Sequence, residues 1–194
     1  PTPTPTPMPT LAAPDKSAAR SGPVLLVAHG CSWRLSWAPD SSEIVFDHYQ
    51  GVPCPESSTS TLATAPLTGT AGQEILRSDQ VRYPVAPAWS PQGDWIAFSN
   101  SDVEHPGTNG VYIIRPDGTE LTQLAAPDLG EPVWSPDGEW LAFAGELGVF
   151  RMRWDGTEKI RLPTPLKHEP DYFPNVTWSP NSSRLAYVYN GVIY

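Results

Sequence analysis

Pro132-Val133-Trp134-Ser135-Pro136-Asp137-Gly138-Glu139-Trp140-Leu141-Ala142-Phe143 decides the fold. It recurs as Pro87-Ala88-Trp89-Ser90-Pro91-Gln92-Gly93-Asp94-Trp95-Ile96-Ala97-Phe98. Weaker copies run from Leu35 to Phe46 around Trp37 and from Val176 to Tyr187 around Trp178. The four tryptophans are spaced 52, 45 and 44 residues apart. A period near ~45 residues, built from short apolar runs and turns, is the spacing of propeller blades.

Each unit has a physical logic. In Ser-Pro-Asp-Gly the proline presets φ for a type I turn, and the glycine accepts a positive φ at its end. An apolar strand enters the turn and a second one leaves it. Third strands are expected at Leu62–Ala65, Gly110–Ile114, Gly148–Phe150 and Gly191–Tyr194. Asp117-Gly118-Thr119 and Asp155-Gly156-Thr157 then read as hairpin turns. Fourth strands follow at Gln73–Leu76, Glu120–Leu124 and Glu158–Leu162. Four short antiparallel strands make a blade that is apolar on both faces, and stacking blades about an axis buries both. The competing reading is a β-sandwich with coincidental turns, and the repeated Trp-Ser-Pro-x-Gly weighs against it. The reading is therefore all-β: a β-propeller of about four four-stranded antiparallel blades. The blades run over about 35–77, 86–124, 132–162 and 175–194, the last incomplete, so an open arc is expected. The alternative is a small ring in which Val24–Val27 supplies the absent strand.

Trp-Ser-Pro-Asp-Gly, then Trp-Leu-Ala-Phe, then Asp-Gly-Thr resembles the TolB-type, WD40-like β-propeller repeat over about 36–194. That resemblance is specific for the fold and open as to function. It implies a translocation or binding scaffold, the propeller of a prolyl-oligopeptidase-like peptidase, or a tethered sensor. Ser41 and Ser182 depart from it, standing where the turn glycine belongs. Strained turns or turns of another type are expected there.

Residues 1–22 form a separate Pro/Thr-rich region. Such a segment favours extended polyproline II and acts as a semi-rigid spacer. It points to an extracytoplasmic setting, with an anchor or another domain upstream. Cys31 and Cys54 are the only cysteines; a disulfide and two unrelated thiols are both open readings. The net charge of −9 disfavours nucleic acid and anionic membranes as partners. No apolar run of about twenty residues exists to insert into a membrane.

No Gly-x-Ser-x-Gly elbow, His-Glu-x-x-His, phosphate loop or Cys-x-x-Cys occurs. The reading is therefore non-enzymatic, with no catalytic residue, no cofactor and no metal site. Recognition is expected where strand alternation places the long loops: 47–61, 78–85, 99–109, 125–131 and 163–175. The candidate residues are His48, Tyr49, Tyr83, Asp102, Glu104, His105, Glu131, His168, Tyr172 and Phe173. Acids outnumber Arg82 and Lys167 on these loops. The expected partner is therefore a protein or peptide with basic character, a metal ion being the other cation such a face attracts.

Overall fold

A computed structural model describes residues 31–32, 34–49, 60–67, 72–126, 130–145, 148–163, 175–189 and 192–194. The Pro/Thr segment 1–22 and Val24–Val27 lie outside them. Strands β1 (Leu35–Trp37), β2 (Glu43–Tyr49), β3 (Ser60–Pro66) and β4 (Gln73–Leu76) form the first antiparallel sheet in chain order. The second contains β5 (Pro84–Trp89), β6 (Ile96–Asn100), β7 (Gly110–Ile114) and β8 (Thr122–Ala125). The third contains β9 (Val133–Trp134), β10 (Trp140–Gly145), β11 (Gly148–Arg153) and β12 (Ile160–Arg161). The fourth has three strands, β13 (Val176–Trp178), β14 (Leu185–Tyr189) and β15 (Val192–Ile193). Among the described residues the one helical element is a 3-10 turn at Pro106–Thr108, and no helix is long and apolar enough to cross a membrane.

The repeat fixes the register of every blade. Trp37 pairs with Ile44, Trp89 with Ile96, Trp134 with Leu141 and Trp178 with Leu185. Each tryptophan thus ends its first strand and enters the same turn. In each turn the amide of the fourth residue donates to the carbonyl of the first: Ser41 to Ala38, Gly93 to Ser90, Gly138 to Ser135 and Ser182 to Ser179, at 2.8–3.0 Å. Ser41 and Ser182 hold φ of +62° and +57°, beside +84° and +72° for Gly93 and Gly138. The turn type is therefore kept, and the serines carry the strain of the left-handed conformation. Ser41→Gly should stabilise the chain by roughly 0.5–1 kcal/mol. Ser182→Gly should gain less, because Ser182 Oγ accepts the Asp137 amide of the neighbouring blade at 3.0 Å. Urea unfolding of both variants checks the order; an equal gain would contradict it.

The blades pack face to face. Val45, Leu62 and Leu76 of the first meet Trp89, Ile96 and Phe98 of the second in one core cluster. Ile113 and Val111 of the second meet Trp134, Leu141 and Met152 of the third in another. A smaller cluster joins Ala142, Ala144 and Val149 to Val176 of the fourth. Trp89, Trp134 and Trp178 each face the blade before them, and two of the indoles donate back across the interface. Trp134 Nε1 donates to the Ala88 carbonyl at 2.9 Å and Trp178 Nε1 to the Val133 carbonyl at 3.2 Å. Both acceptors immediately precede the tryptophan of their own blade.

The ring is open. Trp37 has no preceding blade among the described residues to face, and it is 53% exposed, with Leu35 at 60%. At the other end Val192 and Ile193 are 51% and 76% exposed. Trp37 thus holds the same place in its strand as the buried Trp89 and Trp134 without being covered.

The turn carboxylates share one environment. Hydroxyl and amide donors of Ser42, Thr119 and Thr157 hold Asp40, Asp117 and Asp155 below the usual carboxylate range. Burial works to raise Asp137, but donors from Ser135, Glu139 and Ser182 outweigh it and lower its pKa as well. A depressed folded-state pKa gives stability that is present above the ordinary value near ~4 and is lost as pH falls through the folded one. Asn181 fills this position in the fourth blade without a titrating group, its Oδ1 accepting from Ser179 and Ser183. Replacing Asp40, Asp117, Asp137 and Asp155 by asparagine should therefore shrink the drop in Tm between about pH 5 and pH 2. An unchanged acid limb would contradict this.

Candidate functional site: a braced loop platform

Because the strands alternate, the Ser-Pro and Asp-Gly-Thr turns lie on one face of the arc. The strand ends joined by β2–β3, β4–β5, β6–β7, β8–β9 and β12–β13 open on the other. The β10–β11 and β14–β15 connections on this second face span only 146–147 and 190–191. The long described loop is therefore β6–β7, residues 101–109.

This loop is built on buried polar side chains. Asn100, fully buried at the end of β6, accepts the Tyr83 amide at 3.1 Å and donates to the carbonyl and hydroxyl of Thr108 at 2.9 and 3.0 Å. Asn109 accepts the Asp102 amide at 2.6 Å. Asp102, whose side chain is 2% exposed, accepts the amides of Glu104 and His105 through Oδ1 at 2.9 and 3.1 Å. Its Oδ2 lies 3.1 Å from His105 Nδ1. Burial pushes the Asp102 carboxyl up, but the amides and ring of His105 and the Glu104 amide outweigh it and hold it below the usual range. A buried carboxylate with this many donors is a brace. Gly110 follows at φ +150°, where a Cβ would lie 1.9 Å from the Ala125 carbonyl oxygen; only glycine fits the loop's exit.

On this base sits an exposed cluster. Arg82 Nη1 donates to Glu104 Oε2 at 2.7 Å and lies 3.2 Å from His105 Nδ1. The guanidinium also lies 5.6 Å from the Tyr83 ring centroid. Asp102, Glu104 and His105 place one ligand atom each within 4.8 Å of one another, a donor set of the kind that attracts a cation. Arg82 already supplies that cation. Tyr49 adjoins through Ser60, whose amide donates to the Arg82 carbonyl and whose hydroxyl donates to the Pro84 carbonyl. Burial, followed by the Asp47 charge, pushes the Tyr49 phenol up, against a hydrogen bond with Ser60 that lowers it.

The other candidates stand apart. Glu131 pairs with Arg34 at 2.6 Å, and the Arg34 amide donates to buried Asp47 at 3.0 Å. His48 packs edge-on against Phe46 with its Nδ1 buried. His168, Tyr172 and Phe173 lie outside the described residues. The structure thus gathers Tyr83, Asp102, Glu104 and His105, with Tyr49 adjoining, and separates His48 and Glu131 from them. Sequence reading missed Arg34, Asn100, Asn109 and Ser60. Arg34 adds a cation to a face whose basic groups were read as Arg82 and Lys167 alone, so both Glu104 and Glu131 are paired within the chain. Cys31, bridged to Tyr49 by backbone hydrogen bonds, is disulfide-bonded. Cys54, the other cysteine of the sequence, lies outside the described residues.

No family model matches the sequence, and no curated protein matches it. Solved structures do. A putative TolB from Agrobacterium tumefaciens superposes with a TM-score of 0.58 at 19% identity, over 70% of this chain and 50% of that one. TolB from Acinetobacter baumannii gives 0.59 at 20% identity, over 83% of this chain and 38% of that one. A nidogen/laminin complex gives 0.61 at 20% identity, over 82% of this chain and 57% of that one. The chain thus spans about half, or less, of the length of these neighbours. Blade order, turn geometry and neighbours agree: the chain has the β-propeller fold of the TolB structures, as an open arc of successive blades.

Proposed function

We propose that the chain is a non-enzymatic, extracytoplasmic binding scaffold that engages a protein partner through the long-loop face. The observation that carries this reading is the braced loop 101–109. Three buried polar side chains hold Glu104, His105 and Tyr83 at the surface in a fixed array, while the opposite face consists of short stereotyped turns. Preorganised aromatic and charged groups on a rigid sheet suit recognition, because little side-chain entropy remains to be lost on binding. The acid-base groups of the cluster are engaged in holding it: Asp102 uses both oxygens on the loop, and His105 Nδ1 lies against Asp102 and Arg82. The disulfide at Cys31 supports an oxidising compartment. Glu104, 62% exposed at its side chain, gives the partner's basic groups a carboxylate to approach.

The test compares proteins retained by the wild-type chain from the cell envelope of its source organism with those retained by two variants. Tyr83→Ala/Glu104→Lys/His105→Ala should lose a defined set of proteins, and that set should elute from the wild type with rising salt. Glu120→Lys/Glu158→Lys on the turn face should keep it. Loss with the turn-face variant alone, or retention by both, would sink the reading.

A further inference from the structure

One position breaks the repeat at the interface between the third and fourth blades. In β11, Arg151 pairs with Ala142; the matching residues are Ile113, which pairs with Ala97 in the second blade, and Thr64, which pairs with Val45 in the first. Ile113 and Thr64 are both buried. Where those blades close on their neighbours, the third leaves a cleft of about 290 Å³ against the fourth. Arg151 and Arg184 line it together with the aromatic side chains of Trp140, Trp178 and Tyr187.

Charge sets this cleft apart. The chain carries −9 overall, yet no carboxylate lines the cleft among the described residues. Arg34, Arg77, Arg82, Arg115 and Arg153 each pair with an acid. Arg151 and Arg184 have no carboxylate partner among the described residues, and both line the same cleft. The Arg151 guanidinium lies 4.7 Å from the centroid of the Trp140 ring, and its Nε is buried with no hydrogen-bond partner among the described residues. The hydroxyls at the rim are already engaged: Ser182 Oγ accepts the Asp137 amide and Ser183 Oγ donates to Asn181. Tyr187 donates its hydroxyl to the Pro163 carbonyl, tying the fourth blade to the third beside the cleft. The charged groups of the cleft are both cations, and Leu162, Leu185 and the aromatic rings supply its apolar surface.

We propose that this inter-blade cleft binds a small organic carboxylate with a flat apolar body. The carboxylate meets the Arg151 and Arg184 guanidinium groups, and the body lies against Trp178 and Tyr187. A planar guanidinium matches a carboxylate in geometry as well as charge, and it gains strength where apolar walls exclude water. The volume lies at the small end of ligand pockets. This site is independent of the long-loop face, and either can fail alone.

Benzoate serves as the probe, titrated into the whole chain while the indole N–H resonances are followed by NMR. Saturable shifts of Trp140 and Trp178 are expected, with affinity at least tenfold weaker for benzamide, the neutral isostere, and for inorganic phosphate, which lacks the apolar body. Arg151→Gln should weaken benzoate at least tenfold and Arg184→Gln severalfold, while Arg82→Gln should leave it unchanged. Arg184 is exposed on a turn, so its variant decides the matter if Arg151→Gln fails to fold. Absence of saturation, equal binding of benzamide or phosphate, or full affinity in Arg184→Gln would overturn the proposal.

Discussion

Trp134→Ala will cost roughly 3–5 kcal/mol of stability, the range for truncating a buried aromatic. The indole is 8% exposed and sits between the second and third blades against Leu141, Phe143 and Ile113. Its removal leaves a cavity in the interface between the two blades. It also strips the Ala88 carbonyl of the indole donor at 2.9 Å. The same substitution at Trp37, at the equivalent place in the first blade but 53% exposed, should cost less than about 1 kcal/mol. Urea unfolding of the two variants measures the difference. Equal costs would mean that the tryptophans do not bind each blade to the one before it.

Asn100→Ala should cost about 1–3 kcal/mol, because a fully buried side chain that ties the Tyr83 amide to Thr108 is removed and the amide loses its acceptor. The Tyr83 amide loses its acceptor, and the Thr108 carbonyl is left with the Tyr112 hydroxyl alone, at 2.6 Å. The loss should reach the platform as well: proteolysis should cut within 101–109 in the variant while the wild type resists. A variant as stable and as resistant as wild type would contradict the bracing role. Asn100→Asp should rescue only in part, since it keeps the acceptor for Tyr83 and loses the donor to Thr108.

Where a feature repeats, one copy explains the others, and the sequence alone suffices. The Trp-to-seventh-residue register, the turn hydrogen bonds and the glycine position follow from one unit read four times. Even the serines of the first and fourth turns adopt the glycine conformation, because the flanking strands fix the geometry. Strand ends were less legible. The expected third strand at Gly148–Phe150 extends to Arg153, and the expected fourth at Glu158–Leu162 shrinks to Ile160–Arg161. Ladder length depends on the neighbouring strand, which local propensity does not report.

The site was legible in its face and not in its working parts. Asp102 reads as one surface acid among many; only the fold shows it buried under its own loop. Arg34 and Glu131 are 97 residues apart, and nothing in a ~45-residue period predicts that they pair. Arg151 is hidden for the opposite reason. It looks like any polar residue until its partner in the ladder, Ala142, and the equivalent Ile113 and Thr64 show that its position belongs to the core.

The most direct test of the scaffold reading is contact itself. A photo-crosslinking amino acid placed at Glu104, on the long-loop face, and separately at Glu158, on the turn face, would be activated in the source organism. The account predicts a discrete crosslinked partner from position 104 and none from position 158. A partner captured from 158 and absent from 104 would contradict it.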